Sequence, residues 1–344
     1  MKLLNKIITL IPRRLVYWLQ GARIKSRGLC SFGKNSFISK GTRIIVSDLL
    51  NYNRKDKFII IGKNCWIGEW AEIQSVFNSK IIIKDYSTIQ DYCKILGDVT
   101  IEKYCVFAPN IFISSGNHYA TVKPEWLIRE QDDFVFSTES GKKEHSKPVH
   151  IEEDCWLGWG VFIKPGIYIG RGAVIGAYSI ITKNVPPYSI QIGSPNKEIK
   201  NRLFFDPPTA ILPSQSTHLP YFYRGFGHKR FEMEESLKSG IIYSEKQSLC
   251  VVKKIKYKSL VIEGVIFKKT IEETNLEISI SGYKVIATKI IDNNFNIAFE
   301  LTEDKNSIHK YLEEQYTVVQ FHLSGNFLVN RKYNWGLSKI ALQV

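Results

Sequence analysis

Residues 149–184 read VHIEEDCWLGWGVFIKPGIYIGRGAVIGAYSIITKN. Apolar residues recur six apart in this stretch, at Ile151, Leu157, Ile163, Ile169, Ile175 and Ile181. Glycine follows at Gly158, Gly170 and Gly176, and four places after the apolar positions stand Cys155, Val161, Ile167, Ala173 and Ser179. An amphipathic helix has a period of about 3.6 residues and a half-buried strand a period of about 2. A period of six fits neither. It fits a solenoid in which a short strand and its turn form one side of a repeating coil.

The rule extends towards the N-terminus. Phe32, Ile38 and Ile44 share the phase, and Ile61, Ile67 and Ile73 resume it after an interruption at Ile45–Ile60 that contains the polar loop Asn51–Lys57. A four-residue slip follows, then Ile83, Ile89, Ile95 and Ile101, Phe107, Ile113. Three hexads make one triangular coil, and about six coils are expected, with the isoleucines stacked inside the prism. Cys30, Cys65, Cys93, Cys105 and Cys155 fall at the small-residue phase, so they are expected as free, buried thiols rather than disulfides. No CxxC pair supports a zinc ribbon or redox motif.

The largest departure from the rule is Tyr119–His150, 32 residues where the next hexad should begin at once. Long excursions from a regular scaffold carry function or are disordered. This one holds Trp126, Phe134 and Phe136 among mixed charges, so it is expected to be an ordered arm over a cleft or onto a neighbouring subunit.

The chain of 344 residues has room for two domains. Its net charge of +14 is uneven: Met1–Arg43 has ten Lys/Arg and no Asp or Glu, whereas Phe205–Val344 has 18 against 15. The basic start suits an anionic membrane surface, polyphosphate ligands or plain solvation. Residues 1–28 are expected as a basic amphipathic helical segment. It either anchors at a membrane interface or caps the open end of the solenoid. No run approaches a membrane span, and no signal-peptide cleavage pattern follows Met1–Arg14, so a cytoplasmic location is expected. The solenoid is expected over 29–204, with Lys197–Leu203 as a short helical cap. A proline-rich linker follows over 205–220, and then a β-rich domain over 221–344. The fold class is all-β: a parallel β-helix followed by a smaller β-sandwich.

The ordered set Phe107-Ala108-Pro109-Asn110, Gly116-Asn117-His118, Pro148-Val149-His150-Ile151, Cys155-Trp156-Leu157-Gly158, Lys164-Pro165-Gly166 and Gly193-Ser194-Pro195-Asn196-Lys197 carries a further signal. Through it Ile61–Leu203, roughly the middle 40 per cent of the chain, resembles the hexapeptide-repeat acyltransferases, and among them the sugar O-acetyltransferases. That resemblance implies a left-handed β-helix and a homotrimer with shared active sites. It also implies acetyl-CoA as acyl donor with no metal required, and a carbohydrate acceptor. Acetyl transfer to a hydroxyl in a surface polysaccharide or its precursor is the activity it implies. The alternatives are an amino-sugar N-acetyltransferase and a catalytically inactive glycan-binding or assembly protein. Peripheral membrane association is a further partner expectation; nucleic acid is not one.

His118 matches the catalytic base, because acyl transfer to a hydroxyl needs a proton acceptor working near neutrality and imidazole is suited. Asn117, Trp156, Gln90 and Asp91 match acceptor-side positions, Gln90 or Asp91 being the polar group one coil earlier. Trp159, Ala177, Thr182, Lys183 and Lys200 match donor-side positions, the two lysines at the phosphate-bearing end. Tyr178 stands where the family usually has glycine. His145 and His150 raise a rival reading, a zinc-dependent lyase, but they lie outside the regular hexads.

Overall fold

A computed structural model describes residues 23–24, 27–49, 52–53, 55–254, 259–266, 275–280, 283–287, 294–299, 310–324 and 335–343. The chain divides into two compact units between Phe204 and Phe205. The expected N-terminal helix over Leu3–Gln20 lies outside the described residues.

The first unit is a parallel β-helix with three faces. One face is a seven-stranded sheet containing Arg43–Ser47, Glu72–Val76, Lys94–Leu96, Phe112–Ser114, Phe162–Ile163 and Ile180–Ile181. The second is a six-stranded sheet that includes Ile59–Ile61, Ile81–Ile83 and Val149–Ile151, and the third is an eight-stranded sheet that includes Trp66–Ile67 and Trp156–Leu157. The period of six appears directly as register. Ile44, Ile73, Ile95, Ile113, Ile163 and Ile181 pair in sequence down the seven-stranded face. All six are fully buried, so each contributes roughly 1.5–3 kcal/mol of apolar burial. Arg23–Ile24 also pairs with Arg43–Ile44, so strand structure begins inside the segment expected to be helical.

The six cysteines are free and buried, as the hexad phase implies for five of them. Burial pushes the thiols of Cys30 and Cys93 up to about 11.

The three lengthened intervals share one place in the prism. Ile44 to Ile61, Ile73 to Ile83 and Ile113 to Ile151 each exceed six residues. Each leaves the seven-stranded sheet and returns on the six-stranded sheet. One edge of the prism therefore carries every large departure from the repeat, and the arm is the longest of them.

The end of the solenoid differs from the sequence reading. Lys197–Asn201 is a strand, antiparallel to Ser189–Ile192, and not a helical cap. The Ser189–Ile192 strand leaves an edge of unpaired backbone groups, and a hairpin return satisfies them where a helix could not.

The second unit is antiparallel β. Its strands, including Ile242–Lys253, Ser259–Ile266, Tyr316–Ser324 and Trp335–Gln343, join in one nine-stranded sheet, seven of them along one hydrogen-bonded path and two pairing off it. The proline-rich passage contributes to it: Ala210–Ile211 pairs with Ala341 and Ile340. Trp335, Phe222, Ile262 and Val319 are fully buried within its core. Among the described residues no helix is long and apolar enough to cross a membrane.

Candidate active site

The arm contains two helices, α1 (Ile128–Phe136) and α2 (Glu139–Glu144). The Glu130 carboxylate accepts the Leu127 N–H at the start of α1 (3.3 Å), and Thr138 Oγ1 accepts the Gly141 N–H at the start of α2 (3.0 Å). Gln131 is buried and ties the preceding loop to α1. Its Oε1 accepts the Lys123 N–H (3.0 Å) and its Nε2 donates to the Trp126 carbonyl (3.1 Å). The returning limb is fastened by Lys147 N–H to the Ser115 carbonyl (2.8 Å) and by the Ser115–Ser146 hydroxyl pair (2.8 Å).

This anchoring fixes Asp132 beside His118. Asp132 Oδ2 lies 2.6 Å from His118 Nδ1, and Asp132 Oδ1 accepts the Tyr119 N–H at 2.8 Å. Burial raises the Asp132 carboxyl, but the Tyr119 N–H and His118 outweigh it and hold it below its ordinary value. An ionised carboxylate only accepts, so the neutral imidazole carries its proton on Nδ1 and its lone pair on Nε2. The His118 side chain is 83% exposed, and that pair is open to a substrate.

A cavity of 740 Å³ opens beside this pair, lined by Phe77, Asp98, Asn117, His118, Phe136 and His145 among others. Its volume is in the range of small-molecule sites. Burial raises the Asp98 carboxyl in its wall, against the opposing effect of Lys80. His145 sits among Phe77, Tyr119 and Phe136, with ring centroids 6.3, 5.9 and 4.9 Å away. Its Nδ1 is buried without a hydrogen-bond partner among the described residues. Burial lowers its pKa; Asp132 opposes that shift and His118 adds to it.

The residues matched by resemblance fall into separate groups. Asn117 is exposed and lines the cavity with His118. Thr182 and Lys183 follow Ile180–Ile181 on the edge of the prism that carries His118; the Thr182 N–H donates to Asn196 Oδ1 (3.1 Å). Lys183 and Lys200 are exposed, and Lys200 is on the hairpin strand opposite Ile190. Trp156 stands outward on the eight-stranded sheet, and Trp159 and Ala177 occupy the next edge, between that sheet and the seven-stranded one. Tyr178 has a φ of 58°, which explains why glycine suits this turn; its ring lies stacked 6.5 Å from Trp159.

Gln90 and Asp91, matched to the acceptor side, lie in a different turn from His118 within one chain. Asp91 Oδ1 accepts the Glu69 N–H at 2.7 Å, and the Gln90 N–H donates to the Phe107 carbonyl at 3.2 Å. Both belong to a turn between the eight- and seven-stranded sheets, away from the edge where the arm leaves. The carboxylate that meets the His118 ring is Asp132. Its sequence signal was an acid pair in the arm, and nothing in the spacing chose between Asp132 and Asp133. The histidines of the zinc reading part company: His150 Nε2 lies 3.2 Å from Glu152 Oε1, while His145 is caged by aromatic rings. Among the described residues no group of three or more His, Cys, Asp or Glu is placed to hold a metal ion.

Residues 148–183 match the bacterial transferase hexapeptide family (six repeats). Those residues lie within the β-helix of the N-terminal unit, and the chain is also similar to curated acetyltransferases. A galactoside O-acetyltransferase of Lactococcus lactis is 30% identical over 146 residues, covering 41% of this chain and 62% of that protein. A chloramphenicol acetyltransferase of Morganella morganii is 39% identical over 106 residues, covering 29% and 49%. A crystal structure of a Bacillus cereus N-acyltransferase, AntD, with dTDP-4-amino-4,6-dideoxyglucose and coenzyme A, is 21% identical with a TM-score of 0.39, covering 52% of this chain and 87% of that one. The chain spans less than two thirds of the length of the curated relatives it matches.

Proposed function

We propose that the β-helical unit transfers an acetyl group from acetyl-CoA to a sugar hydroxyl, in a surface polysaccharide or its precursor, with His118 as general base. The observation that carries this reading is the His118–Asp132 pair at the mouth of the cavity. His118 Nε2 takes the hydroxyl proton as the sugar oxygen attacks the thioester carbonyl. The tetrahedral intermediate expels the CoA thiolate, which receives the proton back from the imidazolium. Asp132 holds the ring in its tautomer and stabilises the transient cation.

The acyl donor lies along Trp159, Ala177 and Thr182, with Lys183 and Lys200 at its phosphates. Trp159 and Ala177 are on a different edge of the prism from His118, so one chain does not bring them together. A homotrimer with sites between subunits joins these edges. The outward residues Phe37, Trp66, Val106 and Trp156 of the eight-stranded sheet, all exposed in one chain, supply apolar surface for that contact. The basic N-terminal stretch supports work at the inner face of a membrane.

The test is release of CoA from acetyl-CoA in the presence of sugar acceptors, with mass spectrometry of the product. Replacing His118 by Ala is expected to lower turnover by roughly 10²–10⁴-fold. Turnover at the original rate would remove His118 from the mechanism. Mild alkali is expected to release the acetyl group from an ester; an alkali-stable product would mean an amide and an amino-sugar acceptor.

A further inference from the structure

Two interruptions of the six-residue repeat meet in space. The arm is one. The other is the four-residue slip between Ile73 and Ile83, which folds as the turn at residues 77–80 on the same edge of the prism. Phe77 in this turn lies 5.3 Å from Phe136 and 6.3 Å from His145, ring centre to ring centre. All three line the cavity that holds His118.

The turn is built to present that ring. Ser75 Oγ donates to the Ser79 carbonyl (2.6 Å), the Val76 N–H donates to Ser79 Oγ (3.0 Å), and the Ser79 N–H returns to the Val76 carbonyl (2.9 Å). Phe77 and Asn78 both adopt left-handed backbone, with φ of 49° and 64°. Asparagine takes that conformation readily, but phenylalanine does so against its preference. Left-handed aromatic residues recur at other turns of the solenoid, among them Trp70, Tyr86 and Tyr104, and what sets Phe77 apart is the cavity its ring lines. Phe77 and Phe136 are each only half-buried, so their faces are not consumed by the core. Asp98, Asn117 and His118 supply polar groups elsewhere in the same cavity.

We infer that Phe77 is a specificity-determining residue for the acceptor. With Phe136 it forms an apolar wall that takes the C–H face of a pyranose ring, while the polar groups of the cavity meet its hydroxyls. This rests on the acetyl-transfer reading for the identity of the acceptor. The wall explains why the solenoid spends four extra residues two coils before the coil from which the arm departs. Without the turn, the arm's aromatic ring would face the acceptor alone.

The experiment uses methyl β-D-galactopyranoside, methyl β-D-glucopyranoside and methyl N-acetyl-β-D-glucosaminide as probes. Saturation-transfer NMR on the full chain carrying His118→Ala reads binding without turnover. For at least one probe, transfer is expected to concentrate on one ring face and to be lost when Phe77→Leu is added. Leucine keeps apolar bulk against Phe136 and His145 but removes the flat face; Phe77→Trp keeps the face and is expected to keep binding. In chains with His118 intact, Phe77→Leu is expected to raise the acceptor KM about tenfold, with kcat and the acetyl-CoA KM unchanged.

Unaltered binding in Phe77→Leu overturns the proposal. So does equal weakening by Leu and Trp, which would mean that the ring acts only through the folding of the arm. Failure of all three probes to bind overturns the pyranose assignment. Turnover that survives His118→Ala removes His118 as the base, and absence of acetyl transfer to any sugar by the intact chain sinks the acetyl-transfer reading; each leaves the NMR result on Phe77 standing.

Discussion

The Asp132 carboxylate binds His118 and Tyr119 at once, with Oδ2 2.6 Å from His118 Nδ1 and Oδ1 2.8 Å from the Tyr119 N. One side chain of α1 therefore fixes both the ring and the backbone at the point where the arm leaves the coil. Replacing Asp132 by Asn keeps the size but removes the charge that stabilises the imidazolium. A loss of roughly 10–10³-fold in kcat is expected, with little change in the acetyl-CoA KM. Because the folded pKa of Asp132 is depressed, its stabilising contribution is present above the unfolded carboxylate range. That contribution is lost only as pH falls through the lower folded value. Proteolytic nicking of the arm at pH 6 and pH 3, in wild type and Asp132→Asn, measures this; equal nicking of the two chains at pH 6 would refute it.

His145 titrates with the opposite charge logic. Its ring is caged, its Nδ1 has no hydrogen-bond partner among the described residues, and burial depresses its pKa. A histidine that resists protonation in the folded state stabilises the protein above its unfolded pKa of about 6.5 and less as pH falls below that value. The groups facing it with charge are Asp132 and His118. His145→Leu removes the titration, so the thermal midpoint of wild type is expected to fall relative to that of the variant as pH falls from 7.5 to 5. Parallel melting curves across that range would show that the ring protonates freely.

The repeat was legible because its cause is local and periodic. Each isoleucine must face the prism axis, and a slip of one residue would turn it to solvent. The His118–Asp132 pair was not legible in this way. It spans fourteen residues whose path is set by the Gln131 tie and the α1 cap, and the hexad rule stops at the arm. The strand at Lys197–Asn201 was misread for a related reason, since its conformation is decided by an edge partner, Ser189–Ile192, and not by its own pattern. Phe77 showed in the sequence only as a break in phase. Its meaning came from the ring it meets across the cavity, Phe136.

Glu153 gives a test in the solenoid that is independent of the proposed reaction. It is buried, and burial raises its carboxyl to about 7 despite the opposing charge of Arg171. A carboxyl with a raised folded pKa contributes stability that is complete below its unfolded value of about 4.5 and is lost as pH rises through about 7. Glu153→Gln mimics the protonated form. The variant is expected to gain on the order of 1–3 kcal/mol over wild type at pH 8 and close to nothing at pH 5. Chemical denaturation at the two pH values reads the difference, and an advantage larger at pH 5 would reverse the sign argued here.

Tyr178 separates the needs of the turn from those of the proposed donor groove. Its φ of 58° suits glycine, and the same edge carries Gly160 with φ of 67° beneath the Tyr178 ring. Tyr178→Gly relieves the left-handed backbone but removes the ring stacked on Trp159. These effects oppose one another, so the change in folding stability is expected to stay within about 1 kcal/mol. Trp159 is already half exposed, and loss of its neighbour leaves one aromatic face where there were two. A rise of several-fold in the acetyl-CoA KM at constant acceptor KM is therefore expected, because the stack stands on the donor side of the proposed groove. Steady-state kinetics with each substrate varied in turn distinguishes the outcomes. A change confined to the acceptor KM would move Trp159 and Tyr178 to the acceptor side, and with them the edge of the prism that the donor follows.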